Sequence, residues 1–113
     1  MCFATAAAAQ AQAPEGTRSI ATPHKFAVLV GRVERATDKH GLGVVAKASA
    51  SRGASARGVK IPGNAVVMVF RNDIAVRLLA ASLPAGIEAP LRLYVTENAD
   101  GAATLSYRMP SAL

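Results

Sequence analysis

The chain has 113 residues, of which 51% are hydrophobic and 18% are charged. This length suffices for one domain with a single modest core, and this hydrophobic content excludes a chain that is disordered throughout. The longest strongly apolar run covers residues 65–70. A membrane-spanning helix needs about 20 such residues, so we expect a soluble mature domain without a membrane span.

The charge balance is basic, with 13 Lys and Arg against 7 Asp and Glu and a formal net charge of +6. A basic chain attracts nucleic acid, acidic lipid or small anions. Here the basic residues form no run of five, and three Phe and two Tyr with no Trp offer little stacking surface. Nucleic-acid binding usually adds stacking aromatics or a recognition helix, so the sequence argues against it.

Residues that ligate metals are scarce. Cys2 is the single cysteine, and His24 and His40 have no cysteine between them. A lone cysteine forms neither an internal disulfide nor a zinc site. We therefore predict no metal site and no cofactor.

The first 16 residues form an alanine-rich tail that precedes a single domain over residues 17–113. Ala11-Gln12-Ala13 has the small-x-small pattern that signal peptidase prefers, although a basic region and a rich apolar core are missing. One interpretation is the end of an export signal that starts upstream, which implies a periplasmic or secreted protein that lacks Cys2. The alternative is a disordered arm of a cytoplasmic protein. We favour export.

The first half of the domain predicts a strand followed by a long helix. Residues 17–21 fit a short edge strand. Thr22 and Pro23 fit a helix N-cap and first helical position, with His24 in the first turn, and Gly41 fits a left-handed stop. The helix has one apolar face: Phe26, Leu29, Val30, Val33 and Thr37.

The middle of the chain predicts two further strands and a second helix. Residues 42–48 fit a strand, and residues 49–58 fit either a short helix or a loop. Residues 65–71 are the most apolar strand, which we expect at the centre of the sheet. Asp73 can cap a helix that ends at residues 83–86.

The end of the chain predicts a β-hairpin of residues 91–97 and 102–108. Asn98 and Gly101 occupy the first and fourth positions of the turn, as in a type I turn with a glycine bulge. In that geometry Val95 faces Leu105. The register places one apolar set on one face: Leu91, Leu93, Val95, Leu105 and Tyr107.

The same register defines the main candidate site on the opposite face of the hairpin. It places Arg92 opposite Arg108 and Tyr94 opposite Ser106. Like charges directly across a strand pair are unfavourable, and arginine binds carboxylate or phosphate in bidentate fashion. We therefore predict an anion held by Arg92, Arg108, Tyr94 and Ser106. The plainer alternative is that both arginines extend into water, or pair with Glu88, Glu97 or a second subunit.

Secondary candidates are His24, Asn72 and Asp73. His24 could act as a general base, but the sequence places no nucleophile or carboxylate beside it, which favours a surface histidine. Asn72 and Asp73 follow an apolar strand, where a helix cap explains them more simply. We assign no catalytic residue.

Four segments resemble the domain of unknown function 302 family. Residues 22–26 (TPHKF) resemble its SPHSF helix entry, and residues 70–73 (FRND) resemble its FGNP. Residues 86–93 (GIEAPLRL) resemble its GIDLPLKV, and residues 107–110 (YRMP) resemble its YNDP. The segments stand in the family's order and span nearly the whole domain.

The resemblance implies an α+β fold with helices against a mainly antiparallel sheet, a homodimer, and frequent export signals. The family has no established biochemical function. This chain departs from the pattern at Arg71, Asp73, Arg108 and Met109, and residues 48–51 replace the family's acidic-His element. The chain also stops before the usual C-terminal helix. We expect a diverged, C-terminally short member.

Fold and site together give three hypotheses of function. We expect a small mainly antiparallel sheet with two or three helices packed on one face. The first hypothesis is a dimeric module that binds a small anionic ligand around Arg92, Arg108 and Tyr94. The second is a hydrolase of small anionic substrates, which needs His24 or Asp73 beside a serine or a water. The third is a structural envelope or stress protein without a ligand.

Overall fold

The computed structural model describes residues 13–108 as an α+β fold built on one five-stranded sheet. The strand order is β1-β5-β4-β3-β2, and all neighbours are antiparallel. This confirms the predicted fold class. No helix in residues 13–108 is both long and apolar enough to cross a membrane. The elements are β1 (Thr17–Lys25), α1 (Phe26–Lys39), β2 (Gly43–Ala48), α2 (Ala50–Ala56), β3 (Asn64–Phe70), α3 (Asn72–Ala81), a 3-10 helix (Leu83–Glu88), β4 (Leu91–Glu97) and β5 (Ala102–Arg108).

The core lies between α1 and one face of the sheet. Leu29 and Val33 of α1 are buried, and the helix packs against all five strands. Val67, Val69 and Val95 are the largest fully buried side chains. Phe26 and Val30 are half-buried against this core, so the predicted apolar face of α1 is confirmed.

The predicted boundary between β1 and α1 is wrong. Thr22 does not cap the helix: its Oγ1 donates to the carbonyl of Ala103 at 2.7 Å. The strand continues to Lys25, which pairs with Ala102 beyond a register shift. Pro23 is tolerated there because β1 is an edge strand, and His24 therefore lies in β1.

Two further expectations need correction near β3. This strand is paired on both sides but β4, not β3, is the central strand. Asp73 does not cap α3, because Arg71 is the N-cap residue and no side chain caps the helix. The Asp73 carboxylate instead accepts a hydrogen bond from Arg71 Nε at 2.8 Å. The guanidinium is only two residues away in sequence, so the carboxylate pairs with it and not with the backbone of the helix start.

Local signals elsewhere in the chain are confirmed. Gly41 has φ +78° directly after α1. Residues 49–58 contain a helix rather than only a loop, because the Ser49 side chain accepts from the Arg52 amide at 3.1 Å and caps α2. In the β4–β5 turn, the Asn98 amide donates to Ala102 at 2.7 Å and Gly101 has φ +88°.

Candidate functional site

One face of the sheet is covered by α1. The covered face holds the core. On the other face, which we call the open face, the strand register brings together alternate side chains of all five strands. Its central members are polar or basic on β4 and β5: Arg92, Tyr94, Thr96, Thr104, Ser106 and Arg108.

The four residues of the main candidate site, Arg92, Arg108, Tyr94 and Ser106, lie on strands β4 and β5 at open-face positions. Tyr94 pairs with Ser106, as the hairpin register predicts. Arg92 and Arg108 lie two residues beyond this pair on the same strands, and their cross-strand pairing stays a prediction. On their outer sides, Arg92 pairs with Met68 of β3 and Arg108 pairs with Thr17 of β1. The topology therefore places β3 and β1 on either side of the predicted site.

Hydrogen bonds order the hydroxyl groups of the open face. Asn64 Nδ2 donates to Tyr94 Oη, so the phenol accepts this bond and keeps its own proton to donate. Ser19 Oγ lies 2.8 Å from Ser106 Oγ. Since one hydroxyl proton serves that bond, the other serine proton can be donated elsewhere. Tyr94 is 39% exposed, so its hydroxyl can reach a ligand.

The electrostatics of the open face are one-sided. Within residues 13–108, the charged residues at its register positions are Lys25, Arg92 and Arg108, and all three are exposed cations. The nearest acid in β4, Glu97, pairs with the buried Ala103 on the covered face. Its Oε1 accepts from the Gly63 amide at 2.9 Å. The open face therefore offers donors and positive charge.

The structure does not join the secondary candidates to this site. His24 is half-buried on β1, and its backbone amide donates to Thr22 Oγ1 at 3.3 Å. Asn72 is exposed at the start of α3. The Arg71 guanidinium, which donates to the Asp73 carboxylate, holds the pKa of Asp73 below its ordinary value. Asp73 is thus paired with an arginine, and its carboxylate remains exposed to solvent.

Metal ligands do not cluster in the part of the chain that the structure describes. Among residues 13–108, no group of three or more His, Cys, Asp or Glu side chains is placed to hold an ion. Cys2 lies outside the described residues, as does most of the alanine-rich tail.

A groove on the covered face was not foreseen from the sequence. It lies between α1 and α2, has a volume of about 810 Å³, and contains none of the predicted site residues. Its lining includes Phe26, Lys47, Arg52 and Ala65. The small side chains of residues 49–58 and the Ser49 cap were the available signals. They could not locate the groove, because its opposite wall comes from α1.

The chain matches the family described as "Domain of unknown function DUF302" over residues 18–113. It belongs to this family. The match covers most of the chain, and the family resemblance predicted from four short segments is confirmed.

A solved DUF302 structure has the same fold. The crystal structure of an uncharacterized conserved DUF302 protein from Bacillus stearothermophilus superposes with a TM-score of 0.76 at 18% identity. The similarity covers 87% of this chain and 77% of that chain. A comparison with curated proteins finds no match. At this identity the likeness shows the fold, so any function must be argued from the site itself.

Proposed function

We propose that this DUF302 domain is a binding module that holds a small anionic group on its open face. The observation that carries the proposal is the set of donors on β4 and its neighbours. Arg92 supplies charge, Tyr94 supplies a phenol proton, and the Ser19–Ser106 pair supplies a hydroxyl proton. Carboxylates and phosphates are the small ligands that accept from all three kinds of donor.

The rigidity of the sheet supports this proposal. Tyr94 and Ser106 are cross-strand partners, and side chains in such pairs stand about 5 Å apart at their Cβ atoms. Asn64 orients the Tyr94 phenol before any ligand arrives. Binding then orders mainly the Arg92 side chain, which lowers the entropic cost of association.

The expected affinity is modest because the face is open to water. Exposed ion pairs contribute about 1 kcal/mol or less, so several contacts together suggest a Kd on the order of 1 mM for inorganic phosphate. At tenfold excess over Kd, a ligand stabilises the fold by about 1.4 kcal/mol. That corresponds to a thermal shift of roughly 5 °C for a domain of this size.

Thermal unfolding in inorganic phosphate or citrate, against sodium chloride of equal ionic strength, tests the proposal. Arg92→Gln should remove most of the shift. Arg32→Gln is the matched control, because it removes one charge from an exposed position of α1. Equal shifts in both variants would show that the anions act through general charge screening and would refute a site at Arg92.

We also propose that a second copy of the chain covers the apolar surface of α3 and the 3-10 helix. Within the described residues, α3 packs mainly on the 3-10 helix and makes little contact with the sheet. Leu83 and Ile87 are 75% and 83% exposed. Ile74, Val76 and Leu79 are exposed on the same segment. A cluster of exposed apolar side chains on one segment is typical of a protein interface.

Sedimentation equilibrium tests this assembly. The wild-type chain should sediment as a dimer, and Leu83→Ser with Ile87→Ser should shift it to a monomer. Val45→Ser is the control, because Val45 is a similarly exposed apolar residue on β2. A wild-type monomer at tens of micromolar would contradict the dimer.

We propose, finally, that the protein is exported and that cleavage follows Ala13. The first strand begins at Thr17, whose amide donates to the Pro14 carbonyl at 3.1 Å. Removal of the preceding residues would therefore leave all described helices and strands in place. Intact-mass measurement of protein from its own host should show a chain beginning at Pro14. Retention of the first 13 residues would contradict export by this route.

A further inference from the structure

The covered face carries the groove of about 810 Å³ between α1 and α2, away from the open face. Pockets that bind small molecules have volumes of this order, with mostly apolar walls and a few polar groups. Phe26, Ala27 and Val30 form the α1 wall, and Ala65 of β3 also lines the groove. The groove is distinct from the site around Arg92, whose residues do not line it.

Hydrogen bonds hold α2 in place along one side of the groove. Ser49 Oγ donates to the Asn64 carbonyl at 2.7 Å, and Ser51 Oγ accepts from the Asn64 amide at 3.0 Å. These bonds attach the start of α2 to the start of β3. The walls are therefore set before a ligand arrives, which reduces the cost of binding.

The opposite wall is fixed by an aromatic side chain. A Cβ at Gly63 would lie 2.5 Å from Phe26 Cγ, so the ring packs directly on this glycine. Phe26 also contacts the core. One part of the ring surface is thereby held against Gly63, while the residue also lines the groove.

The polar groups at the groove leave one net positive charge. Lys47 Nζ lies 3.1 Å from Glu34 Oε1, and both residues line the groove. The charges of Lys47 and Glu34 therefore cancel. Arg52 is the third charged residue of the lining and is exposed on α2. Its guanidinium is suited to a planar carboxylate or a sulfonate.

We infer that the groove binds a small amphipathic anion, with an apolar body against Phe26 and Val30 and an acidic group at Arg52. The apolar wall excludes a purely polar ion as the preferred ligand. The single net cation favours a monoanion over a neutral hydrocarbon. This inference does not rest on the open-face site, and each can fail without the other.

The probe that tests it is 8-anilinonaphthalene-1-sulfonate, which joins an aromatic body to one sulfonate. Fluorescence titration of the folded protein should show saturable binding with one probe per chain. Arg52→Gln should weaken binding roughly tenfold, as expected for the loss of a charge-assisted hydrogen bond. Ser55→Trp, which fills the groove from α2, should abolish it.

Three controls separate this site from other surfaces. Arg32→Gln should leave the affinity within twofold, because Arg32 is an exposed α1 cation outside the groove lining. Arg92→Gln should also leave it unchanged, which separates the groove from the open face. Leu83→Ser with Ile87→Ser should have no effect, which excludes the exposed apolar surface of α3. Far-ultraviolet circular dichroism confirms that each variant is folded.

Each result of the titration either supports or overturns the groove site. Loss of binding in both groove variants, with all three controls intact, supports the inference. It is overturned if the groove variants bind like wild type, or if only Arg92→Gln or the α3 variant loses the probe. An absence of saturable binding by the folded wild-type protein would overturn it as well.

Discussion

Replacement of Gly63 by alanine tests the packing that forms both the core edge and the groove wall. A Cβ at this position would lie 2.5 Å from Phe26 Cγ and 2.7 Å from both Cδ atoms. The ring would have to move by about 0.9 Å to reach an ordinary contact of 3.4 Å. These three atoms lie at the end of the ring that is bonded to Cβ. Rotation of the ring leaves Cγ in place, so it cannot relieve the overlap.

We expect Gly63→Ala to destabilise the fold by about 1–3 kcal/mol, the usual cost of overpacking. With a urea m-value of about 2 kcal/mol/M, the unfolding midpoint should fall by roughly 1 M. Gly53→Ala is the matched control. Gly53 lies within α2 with no atom within 4 Å of an added Cβ, so that change should stabilise by about 0.5–1 kcal/mol.

A double-mutant cycle attributes the cost to the ring. In a Phe26→Leu background, Gly63→Ala should cost less than half as much as it does in the wild-type chain, because the clashing ring is absent. Urea unfolding followed by circular dichroism gives all four free energies. The reasoning is refuted if Gly63→Ala is as stable as the wild type, or if its cost is the same without Phe26.

Three further predictions address the core, the turn and a charged pair. Val67→Ala, at a fully buried position, should cost about 2–3 kcal/mol in urea unfolding, whereas Val28→Ala at an exposed position of α1 should change stability by less than about 0.5 kcal/mol. Gly101→Ala should lower stability by about 1–2 kcal/mol in thermal unfolding, since φ is +88° there; no loss would contradict the glycine bulge. Arg71→Gln should raise the Asp73 pKa in a carboxyl NMR titration. Because folding lowers the pKa of Asp73, the Arg71–Asp73 pair stabilises the folded state above the ordinary pKa of 3.8, and this stabilisation is lost as the pH falls through the lowered pKa. An Asp73 titration that is unchanged in the variant would contradict the pairing.

The hairpin was predictable because its signals are local. The turn residues Asn98 and Gly101 fix the loop, and the alternation of apolar residues then selects one register. Tyr94 opposite Ser106 follows from that register alone. The family resemblance likewise depended on short local patterns, and the family match confirms the membership.

The errors arose where distant parts of the chain decide the structure. Thr22 and Pro23 fit a helix start as well as an edge strand, and the hydrogen bond from Thr22 to Ala103 selects the strand. No local pattern specifies that partner 81 residues away. The central place of β4 follows in the same way, because it depends on which strands β1 and β2 join at the two edges.

The two candidate sites differ in how much of them the sequence contains. The Arg92 side of the open face lies on one hairpin, so its register could be worked out from adjacent residues. Ser19 and Asn64 reach it only through sheet pairing with β5 and β4. The groove has walls on α1 and α2 with Ala65 of β3 between them, and their meeting is a product of the tertiary fold.

The most direct test of ligand binding on the open face is a nitrogen–proton NMR titration of the full chain with inorganic phosphate at constant ionic strength. If the account is right, the amide shifts saturate and concentrate around Arg92, Tyr94 and Ser106, and Arg92→Gln removes them. Shifts that spread evenly over the cationic surface, or that concentrate between α1 and α2, would contradict an anion site on the open face.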